Sequence, residues 1–399
     1  MGEANLSVSP AAYPHSEIAP AFDRRINSES APRPDSRLVF LVTDAFYGHG
    51  GIAKFNRDLL RAACSYSTGT EVVAYPRVLS CHEREDLPRT LRYETGVVSN
   101  KLTYIGRVLI DTLRGRHWDL VVCGHINLLP IAWMISRLAR APLILIIHGI
   151  DAWKPTRRFW TDILVRYVSI FVAVSETSKR RFSSWSCARP ERGFVLPNCV
   201  DLTRFSPQPK NRTLESRYRL QGKTVLLTLG RLAAFDRYKG FDEVLDVLPS
   251  LVGEIPNVVY LIAGEGPDRQ RLEQKARSLS MADRVVFTGL VSESEKSDLY
   301  SLADAFVMPS RGEGFGIVLL EAMACGIPVV ASLLDGGRDA LLHGELGTLV
   351  DPTDLSDVRR GIVEALRLPK RVPHRLEHFS VQNYERRVHL LLDHALRTV

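Results

Sequence analysis

The sequence predicts an α/β protein built from two Rossmann-like domains with a cleft between them. Its 399 residues suggest two domains, and its 45% hydrophobic and 24% charged residues are ordinary globular composition. Short apolar runs that end in polar residues recur along the chain, as in parallel strands that are buried on both faces. One break in this rhythm, at 200–215, indicates the linker between the domains.

The first series of strands follows residues 1–35, a segment rich in Pro, Ser and charge that predicts a disordered tail. The predicted strands are 37–43, 119–123, 143–147 and 170–174, and the predicted helices are 52–63, 128–140 and 157–167. The first strand, a glycine-rich turn at 48–51 and the first helix form the unit that opens a doubly wound sheet.

The second series has predicted strands at 224–229, 258–263, 285–288, 305–308 and 328–331. Apolar residues at helical spacing predict helices at 241–251, 269–279 and 381–398. Polar residues gather where the strands of both series end, and open α/β sheets bind ligands at that edge. We therefore expect the functional residues to lie just after strands.

Positive charge is concentrated in the first half of the chain. Counting Lys and Arg against Asp and Glu, residues 1–210 carry a net charge of +9 and residues 211–399 carry −2. A basic surface favours solubility, and it also attracts anionic membrane surfaces. The sequence contains no basic, aromatic-interleaved nucleic-acid motif, so nucleic acid is not expected as a partner.

Cysteine spacing and hydropathy exclude further classes. The six cysteines form no C-x-x-C pair, which argues against a disulfide framework and a structural zinc site. The N-terminus lacks the apolar region of a secretory signal, and no run reaches the roughly 18 apolar residues of a membrane span. The predicted location is cytoplasmic, and the basic half adds the hypothesis of a peripheral contact on the inner face of the cell membrane.

The strongest motif is RGEGFGIVLLEAMACGIP, which occupies 311–328 and follows a predicted strand. Its glycines precede a helix predicted at 315–325, and free N–H groups at such a helix start attract phosphate. Glu313 and Glu321 would lie about 12 Å apart along the helix axis, which is too far for a glycosidase acid–base pair. The alternative is a glycine-capped helix with exposed glutamates, although Glu321 lies in an apolar stretch.

Two cations and a glycine turn form the next candidates. Arg231 directly follows a predicted strand, and Lys239 precedes a predicted helix. Both suit a diphosphate leaving group, because they stabilise the negative charge that develops on it; the alternative is a pair of surface cations. Gly50 and Gly51 lack the spacing of a dinucleotide fingerprint, so a simple tight turn is an equal alternative.

His125 and His148 each follow a predicted strand in the first half. A lone histidine is more often structural, but two at strand ends of one domain favour a functional role. No third ligand at metal spacing accompanies them, and the sequence has no D-x-D motif. The reaction is therefore expected to need no metal and no cofactor.

These motifs together resemble family 4 of the retaining glycosyltransferases, which have the GT-B fold. The resemblance rests on the E-x7-E spacing from Glu313 to Glu321 and on GRL at 230–232, KG at 239–240, IAGEGP at 262–267, FTGLV at 287–291 and LPNCVD at 196–201. It is continuous over 225–352 and thinner over 38–205. Cys199 departs from the family pattern, in which a glycine is usual.

The resemblance implies a nucleotide-diphospho-sugar donor and assigns residues to it. The donor diphosphate falls to Gly50, Gly51, Arg231 and Lys239. The other donor contacts fall to Val291 at the nucleobase, the backbone of Phe315, Gly316, Ile317 and Val318, and Glu321 at the ribose. Glu313 and His125 are the implied catalytic residues, beside the donor sugar and the transferred sugar respectively. His148 and Asp151 are predicted to bind the acceptor.

The resemblance also implies the domain roles and the reaction. Residues 36–205 would bind the acceptor and 206–378 the donor, and a helix within 379–399 would return to the first domain. A sugar would move to a hydroxyl group with retention, through front-face attack. The expected donor is GDP-mannose, then UDP-glucose or UDP-N-acetylglucosamine. The expected acceptor is a glycan or lipid-linked saccharide in cell-surface polysaccharide or glycolipid synthesis.

Segment 152–160 mixes aromatic and basic residues, and this pattern predicts a helix at a membrane interface that would bring the chain to a lipid-borne acceptor. An ordinary helix packed by its aromatic residues is the alternative. For the whole chain, the alternatives are a non-catalytic protein that binds a nucleotide-sugar or a partner, and a nucleotide-sugar epimerase on the same fold.

Overall fold

The computed structural model describes residues 35–80, 85–97, 100–114 and 117–397. The predicted tail, 1–35, lies outside these ranges except for Asp35. Within them the chain forms two parallel β-sheets, one of seven strands and one of six. The predicted α/β architecture with two sheet domains is confirmed.

The strands of both sheets follow the chain in two separate blocks. The first sheet contains β1 (Arg37–Val42), β2 (Glu71–Pro76), β3 (Leu91–Tyr93), β4 (Leu120–Cys123), β5 (Leu143–Ile147), β6 (Ile170–Ala173) and β7 (Gly193–Val195). The second contains β8 (Thr224–Leu229), β9 (Val258–Ala263), β10 (Val285–Phe287), β11 (Ala305–Met308), β12 (Val329–Ser332) and β13 (Thr348–Val350). The spatial orders are β3-β2-β1-β4-β5-β6-β7 and β10-β9-β8-β11-β12-β13. Each order reverses beside its first strand, and ligands of open α/β sheets bind at such a reversal.

Helices connect the strands. Those in the described ranges are α1 (Gly51–Cys64), α2 (Lys101–Leu113), α3 (Leu129–Ala139), α4 (Phe159–Leu164), α5 (Glu176–Ser183), α6 (Arg212–Arg217), α7 (Phe241–Glu254), α8 (Arg269–Ser278), α9 (Lys296–Leu302), α10 (Ile317–Ala324), α11 (Gly337–Ala340), α12 (Leu355–Arg367) and α13 (Val381–Arg397). Judged on these ranges, no helix combines the length and apolar character that crossing a bilayer requires.

Four observed strands are absent from the sequence prediction. β3, β7 and β13 are three residues long and lie at sheet edges. Unlike the equally short edge strand β10, whose three residues are all apolar, each of them contains an Arg, a Gly or a Thr. β2 ends at Pro76, and a proline argues against a strand because it donates no ladder hydrogen bond.

Two predicted helices begin later than expected. α10 starts at Ile317 because Gly316 has φ 94°, a left-handed conformation that a right-handed helix does not contain. The continuous interfacial helix predicted at 152–160 is wrong, since α4 starts only at Phe159. Trp153 is buried, with the guanidinium carbon of Arg181 3.9 Å from its ring centroid.

The last helix lies against the first domain. The Tyr66 hydroxyl of the segment after α1 donates to Asp393 at 2.5 Å, and a His389 ring nitrogen lies 3.0 Å from the Ala62 carbonyl. The connection back from the second domain runs beside the linker, where the Val200 N–H donates to the Phe379 carbonyl at 2.9 Å. One buried apolar cluster continues from the first sheet to the second, while the predicted boundaries at 205 and 378 stay predictions.

Candidate functional site at the interdomain seam

The two domains touch through glycine backbone at the carboxyl ends of their sheets. A Cβ on Gly314 would lie 1.9 Å from the His148 carbonyl oxygen, and one on Gly149 would lie 2.7 Å from the Gly314 Cα. Gly149 also has φ 147°, which L side chains rarely adopt. We call this contact, 148–151 facing 313–317, the interdomain seam. It tolerates no side chain at its centre.

Hydrogen bonds from α5 join the two domains at and beside the seam. The Ser178 hydroxyl donates to the Gly314 carbonyl at 3.3 Å, and the Thr177 hydroxyl donates to Asp339 at 2.8 Å. The Arg181 guanidinium donates to the Leu334 carbonyl at 2.9 Å. The first domain therefore forms hydrogen bonds with the segments that follow β11 and β12.

Lys239 and Glu313 form an ion pair beside the seam, with Nζ and Oε2 3.0 Å apart. Their side chains are only 17% and 19% exposed. Burial lowers the pKa of Lys239, but the charge of Glu313 and its hydrogen bond outweigh burial, so the net shift is upward. Gly240, at φ 88°, turns the chain after Lys239, and a Cβ there would lie 2.7 Å from the Pro309 carbonyl. The turn thus places Lys239 beside the loop that carries Glu313, residues 309–316, which we call the motif loop.

Arg231 takes a different carboxylate. Its Nε donates to Asp236 at 2.7 Å, and its side chain is 64% exposed. Asp236 and Lys239 lie on one short 3₁₀ helix, Ala234–Lys239. One predicted diphosphate cation, Lys239, is therefore the last residue of this element, and the other, Arg231, is bonded to Asp236 within it.

Two helix N-termini face each other across the seam. A Cβ on Gly51, at the start of α1, would lie 3.9 Å from the Ile317 side chain at the start of α10. Both helices are capped by glycine, Gly50 and Gly316, which has no side chain to accept hydrogen bonds from the first N–H groups of the helix. Helix N-termini carry partial positive charge and free N–H groups, and together they attract an anion.

Asp335 organises the motif loop, and sequence analysis missed it. Its carboxylate accepts hydrogen bonds from the Ser310 hydroxyl and the Glu313 backbone N–H, both at 2.8 Å. The Gly336 N–H donates back to the Glu313 carbonyl at 2.9 Å. Burial raises the pKa of Asp335 to about 7, although these hydrogen bonds oppose the shift. Asp335 thus fixes the backbone that presents Glu313.

Glu321 lies inside the second domain at 1% exposure. Its carboxylate accepts a hydrogen bond from the Tyr300 hydroxyl at 2.9 Å, and the Lys296 ammonium lies 3.6 Å away. Tyr300 is a second residue that sequence analysis did not find. A ribose would have to compete with this tyrosine for the Glu321 carboxylate.

The remaining predicted donor residues divide by what they expose. The Phe315 ring is buried and packs on Phe379 with centroids 5.5 Å apart, which leaves its backbone as the part that the prediction concerns. Val318 and Val291 are half-buried against the core. Leu290, beside Val291, is 82% exposed and offers an apolar surface at the predicted nucleobase position.

The two histidines of the first domain lie together, with ring centroids 6.2 Å apart. His125 Nδ1 accepts the Asn127 N–H at 3.1 Å, and His148 Nε2 donates to the Gly124 carbonyl at 2.7 Å. Burial lowers the pKa of His125 to about 4 and that of His148 to about 3. Both rings are neutral near pH 7.

Asp151 completes this group. Its buried Oδ2 lies 3.7 Å from His125 Nε2 and has no hydrogen-bond partner in the described parts of the chain. Burial raises the pKa of Asp151 to about 7, against opposing backbone hydrogen bonds. The first domain therefore presents two neutral rings and a carboxyl group that titrates in the physiological range. No cluster of three His, Cys, Asp or Glu arranged to hold a metal occurs among the described residues.

Comparison with known proteins gives two family matches and a consistent set of relatives. Residues 49–204 match the model of Glycosyltransferase Family 4, and residues 212–382 match that of Glycosyl transferases group 1. A GDP-mannose-dependent alpha-(1-6)-phosphatidylinositol monomannoside mannosyltransferase of Mycolicibacterium smegmatis is 36% identical over 297 residues, which cover 71% of this chain and 76% of that protein. A phosphatidyl-myo-inositol mannosyltransferase of Mycobacterium tuberculosis is 40% identical over 245 residues, covering 60% of this chain and 61% of that protein.

Solved structures agree on the fold. The Anabaena protein HepE, in complex with UDP and glucose, superposes with a TM-score of 0.69 at 20% identity and covers 88% of this chain and 97% of its own. WaaG, a glycosyltransferase of lipopolysaccharide biosynthesis, superposes at 0.61 and 20% identity over 89% and 95%. The two family models together span most of both sheets. Both sequence relatives named above are mannosyltransferases. The chain is a glycosyltransferase of the GT-B fold and belongs to glycosyltransferase family 4.

Proposed function

We propose that this glycosyltransferase moves mannose from GDP-mannose, with retention and without a metal ion, to a hydroxyl group of an inositol-bearing lipid. The mannosyltransferase relatives at 36% and 40% identity support this donor and this class of acceptor. The observation that carries the proposal is the seam itself. The Gly314 loop, which follows the Lys239–Glu313 pair, contacts the backbone of His148 and Gly149, and the start of α10 contacts the start of α1.

In this proposal the donor diphosphate binds at the N-termini of α1 and α10, whose free N–H groups attract an anion. Lys239 would stabilise the charge that grows on the departing diphosphate, which is the interaction that lowers a barrier. In the structure Glu313 satisfies Lys239 at 3.0 Å. A bound diphosphate competes for that ammonium and releases the Glu313 carboxylate toward the sugar hydroxyls. Donor binding and the placement of Glu313 are then one event.

The acceptor hydroxyl fits the first domain because the groups there are neutral or unpaired. Neutral His125 and His148 offer hydrogen bonds without a charge that would compete for the diphosphate. The unpartnered Asp151 Oδ2 accepts a hydrogen bond from a hydroxyl group. In front-face attack the acceptor proton passes to the departing phosphate, so no base in the first domain has to remove it.

A surface of exposed apolar and basic side chains on the first domain supports a lipid acceptor. Helices α2, α3 and α4 are neighbours on one side of the first sheet. Their exposed large apolar side chains include Leu102, Leu113, Leu138, Phe159, Trp160 and the nearby Tyr167. Exposed cations on and beside these helices are Lys101, Arg107, Arg114, Arg137, Arg140, Arg157, Arg158 and Arg166, and none of the described residues in the three helices is an exposed Asp or Glu. Anionic lipid complements such a surface; we call it the basic–apolar face.

The test is a transfer assay with a nucleotide-sugar panel and phosphatidylinositol in vesicles, run with and without EDTA. We expect transfer from GDP-mannose but not from UDP-glucose or UDP-N-acetylglucosamine, with an α-mannosidic product by NMR. Lys239→Ala should lower kcat/KM about 100-fold to 1,000-fold, because one transition-state charge contact is lost. GDP at a hundredfold excess over Kd should stabilise the wild type by about 2.7 kcal/mol.

Arg237→Ala is the matched control. Arg237 lies on the same 3₁₀ helix but pairs with Asp268, away from Glu313. It should retain nearly full activity. Transfer from a UDP-sugar only, a β-linked product, or equal losses in both variants would contradict the proposal, and loss of activity in EDTA would contradict its metal independence.

A further inference from the structure

A second cationic pocket lies on the outer side of the seam and shares no residue with the predicted donor and acceptor sites. Its volume is ≈ 320 Å³, at the lower end of the range of about 300–1,000 Å³ for ligand pockets. One wall is α5 with the residue after it, and the other is the loop that leads from β12 into α11. The pocket is therefore built by both domains.

Three arginines line this pocket: Arg180 and Arg181 from the first domain and Arg338 from the second. Arg181 is held in place, since it donates to the Leu334 carbonyl and stacks on Trp153. No carboxylate within the described residues forms an ion pair with Arg180 or Arg181. Burial lowers the pKa of Arg181, the charge of Arg180 acts in the same direction, and Asp335 opposes them. Within the described residues, no ion pair neutralises the charge of Arg180 or Arg181.

The nearby carboxylates already have other partners. Asp339 accepts hydrogen bonds from the Thr177 hydroxyl and backbone N–H. Asp335 is buried and accepts from Ser310, Glu313 and Gly337. Arg338 donates its Nε–H to His343 Nδ1 at 3.0 Å. The guanidinium groups of Arg180 and Arg181 match the oxygens of a phosphate group, and the hydroxyls of Thr177 and Ser184 add neutral partners.

We propose that this pocket binds a phosphate group and that the bound phosphate bridges the two domains. Arg180 and Arg181 contact it from one side and Arg338 from the other. The site is separate from the donor diphosphate, and the proposal does not depend on which sugar is transferred.

The loop beneath the pocket connects it to the donor site. Leu334 and Arg338 flank Asp335, which holds the Glu313 N–H and the Ser310 hydroxyl. A Cβ on Gly336 would lie 2.0 Å from the Gly314 carbonyl, so this loop cannot move independently of the motif loop. A phosphate that fixes Arg338 therefore fixes the backbone that presents Glu313. Nucleotide and phosphate should each strengthen the binding of the other by the same factor.

The test is calorimetric titration of inorganic phosphate into the full chain, in chloride buffer at constant ionic strength. Wild type should bind saturably. Arg180→Gln should bind roughly tenfold more weakly, since one charge-assisted hydrogen bond is lost, and Arg338→Gln should behave alike. Arg189→Gln, an exposed arginine outside the pocket, should match wild type. Arg180 makes no internal ion pair in the described chain, so its replacement leaves the fold intact.

Lys239→Ala separates the pocket from the donor site. If phosphate binds in the pocket, its affinity survives Lys239→Ala and falls in Arg180→Gln. The reverse pattern overturns the proposal, as does the absence of saturable binding in wild type.

Titration with dihexanoyl phosphatidylinositol then identifies the source of the phosphate group. Competition with inorganic phosphate in wild type points to a lipid headgroup, and no competition points to free phosphate, with the site supported in both cases. Nucleotide affinity should rise about fivefold or more with phosphate in wild type only; equal affinities would overturn the bridging role.

Discussion

The two sheets share one strand order but place different chemistry at the seam. In the second domain, the side chains beside the seam are charged and paired, as in Lys239 with Glu313 at 3.0 Å and Arg231 with Asp236 at 2.7 Å. In the first domain, His125 and His148 are neutral, and Asp151 has an unpaired Oδ2. One fold thus provides a surface of paired charges and a surface of neutral rings with one unpaired carboxyl oxygen.

This difference matches the two partners of a glycosyl transfer. A diphosphate is a strong anion, and it needs ordered cations and helix N-termini that stabilise its charge as it departs. An acceptor hydroxyl is neutral, and it needs hydrogen bonds in a site from which water is excluded. The asymmetry predicts that each domain alone is inert and that their contact is essential.

Separating the two surfaces should have the strongest effect on activity. In Gly314→Ala the new Cβ would lie 1.9 Å from the His148 carbonyl, so the domains must move apart. We expect kcat/KM to fall about 100-fold, because small misplacements of reacting groups cost that much. Circular dichroism should show both sheets intact, and steady-state kinetics with a soluble acceptor measures the loss.

Gly253→Ala is the matched control, since Gly253 is exposed in α7 and a Cβ there meets nothing within 4 Å. This variant should keep wild-type kinetics and gain slightly in stability, because alanine favours a helix over glycine. Wild-type activity in Gly314→Ala would show that the seam contact is dispensable.

The two domains also differ in which of their site residues could be predicted from the sequence. The second domain's site was predictable because its residues lie in contiguous motifs after strands, as for Lys239 and Glu313. Asp335 was missed because its bond to the Glu313 N–H spans 22 residues and follows no local pattern. Tyr300, the partner of Glu321, lies 21 residues from it and was missed for the same reason.

In the first domain, periodicity predicted the central strands but not the three-residue edge strands β3 and β7, whose place depends on pairing with a neighbour. His125 and His148 were singled out by their positions after strands, and Asp151 was predicted with His148 as an acceptor-binding residue. Their neutrality and Asp151's unpaired oxygen depend on burial by distant chain segments, and no local pattern encodes that burial.

The two domains also differ in the charge of their outer surfaces, because the basic–apolar face belongs to the first domain only. Arg157→Gln with Arg158→Gln should weaken binding to phosphatidylinositol vesicles roughly 30-fold, since each cation near an anionic surface contributes about 1 kcal/mol. Vesicle sedimentation at fixed salt measures this loss. Arg212→Gln with Lys223→Gln removes two exposed cations from the second domain and should change little. Equal losses would mean that net charge, rather than this face, attracts the membrane.

A weaker effect is expected in the pH dependence of kcat/KM, because each domain holds one buried carboxyl group near the seam. Burial raises the pKa of both Asp151 and Asp335 to about 7, from a usual value of 3.8. Asp335 accepts hydrogen bonds from Ser310, Glu313 and Gly337. Asp151 Oδ2 has no hydrogen-bond partner among the described residues, and we propose that it accepts one from the acceptor hydroxyl. We therefore expect kcat/KM to rise about threefold as pH increases through 7, and this step should vanish in Asp151→Asn. His125 and His148 do not contribute, because their pKa values of about 4 and about 3 lie below the window.

Stability should show the opposite sign. A carboxyl group with a raised pKa in the folded state stabilises it fully below pH 3.8, and that contribution is lost as pH rises through 7. Urea unfolding at pH 5 and pH 8 should therefore show wild type losing on the order of a few kcal/mol more than Asp151→Asn across that interval. If the kinetic step persists in Asp151→Asn, it belongs to Asp335, and the titrating group that controls the reaction lies on the donor side of the seam.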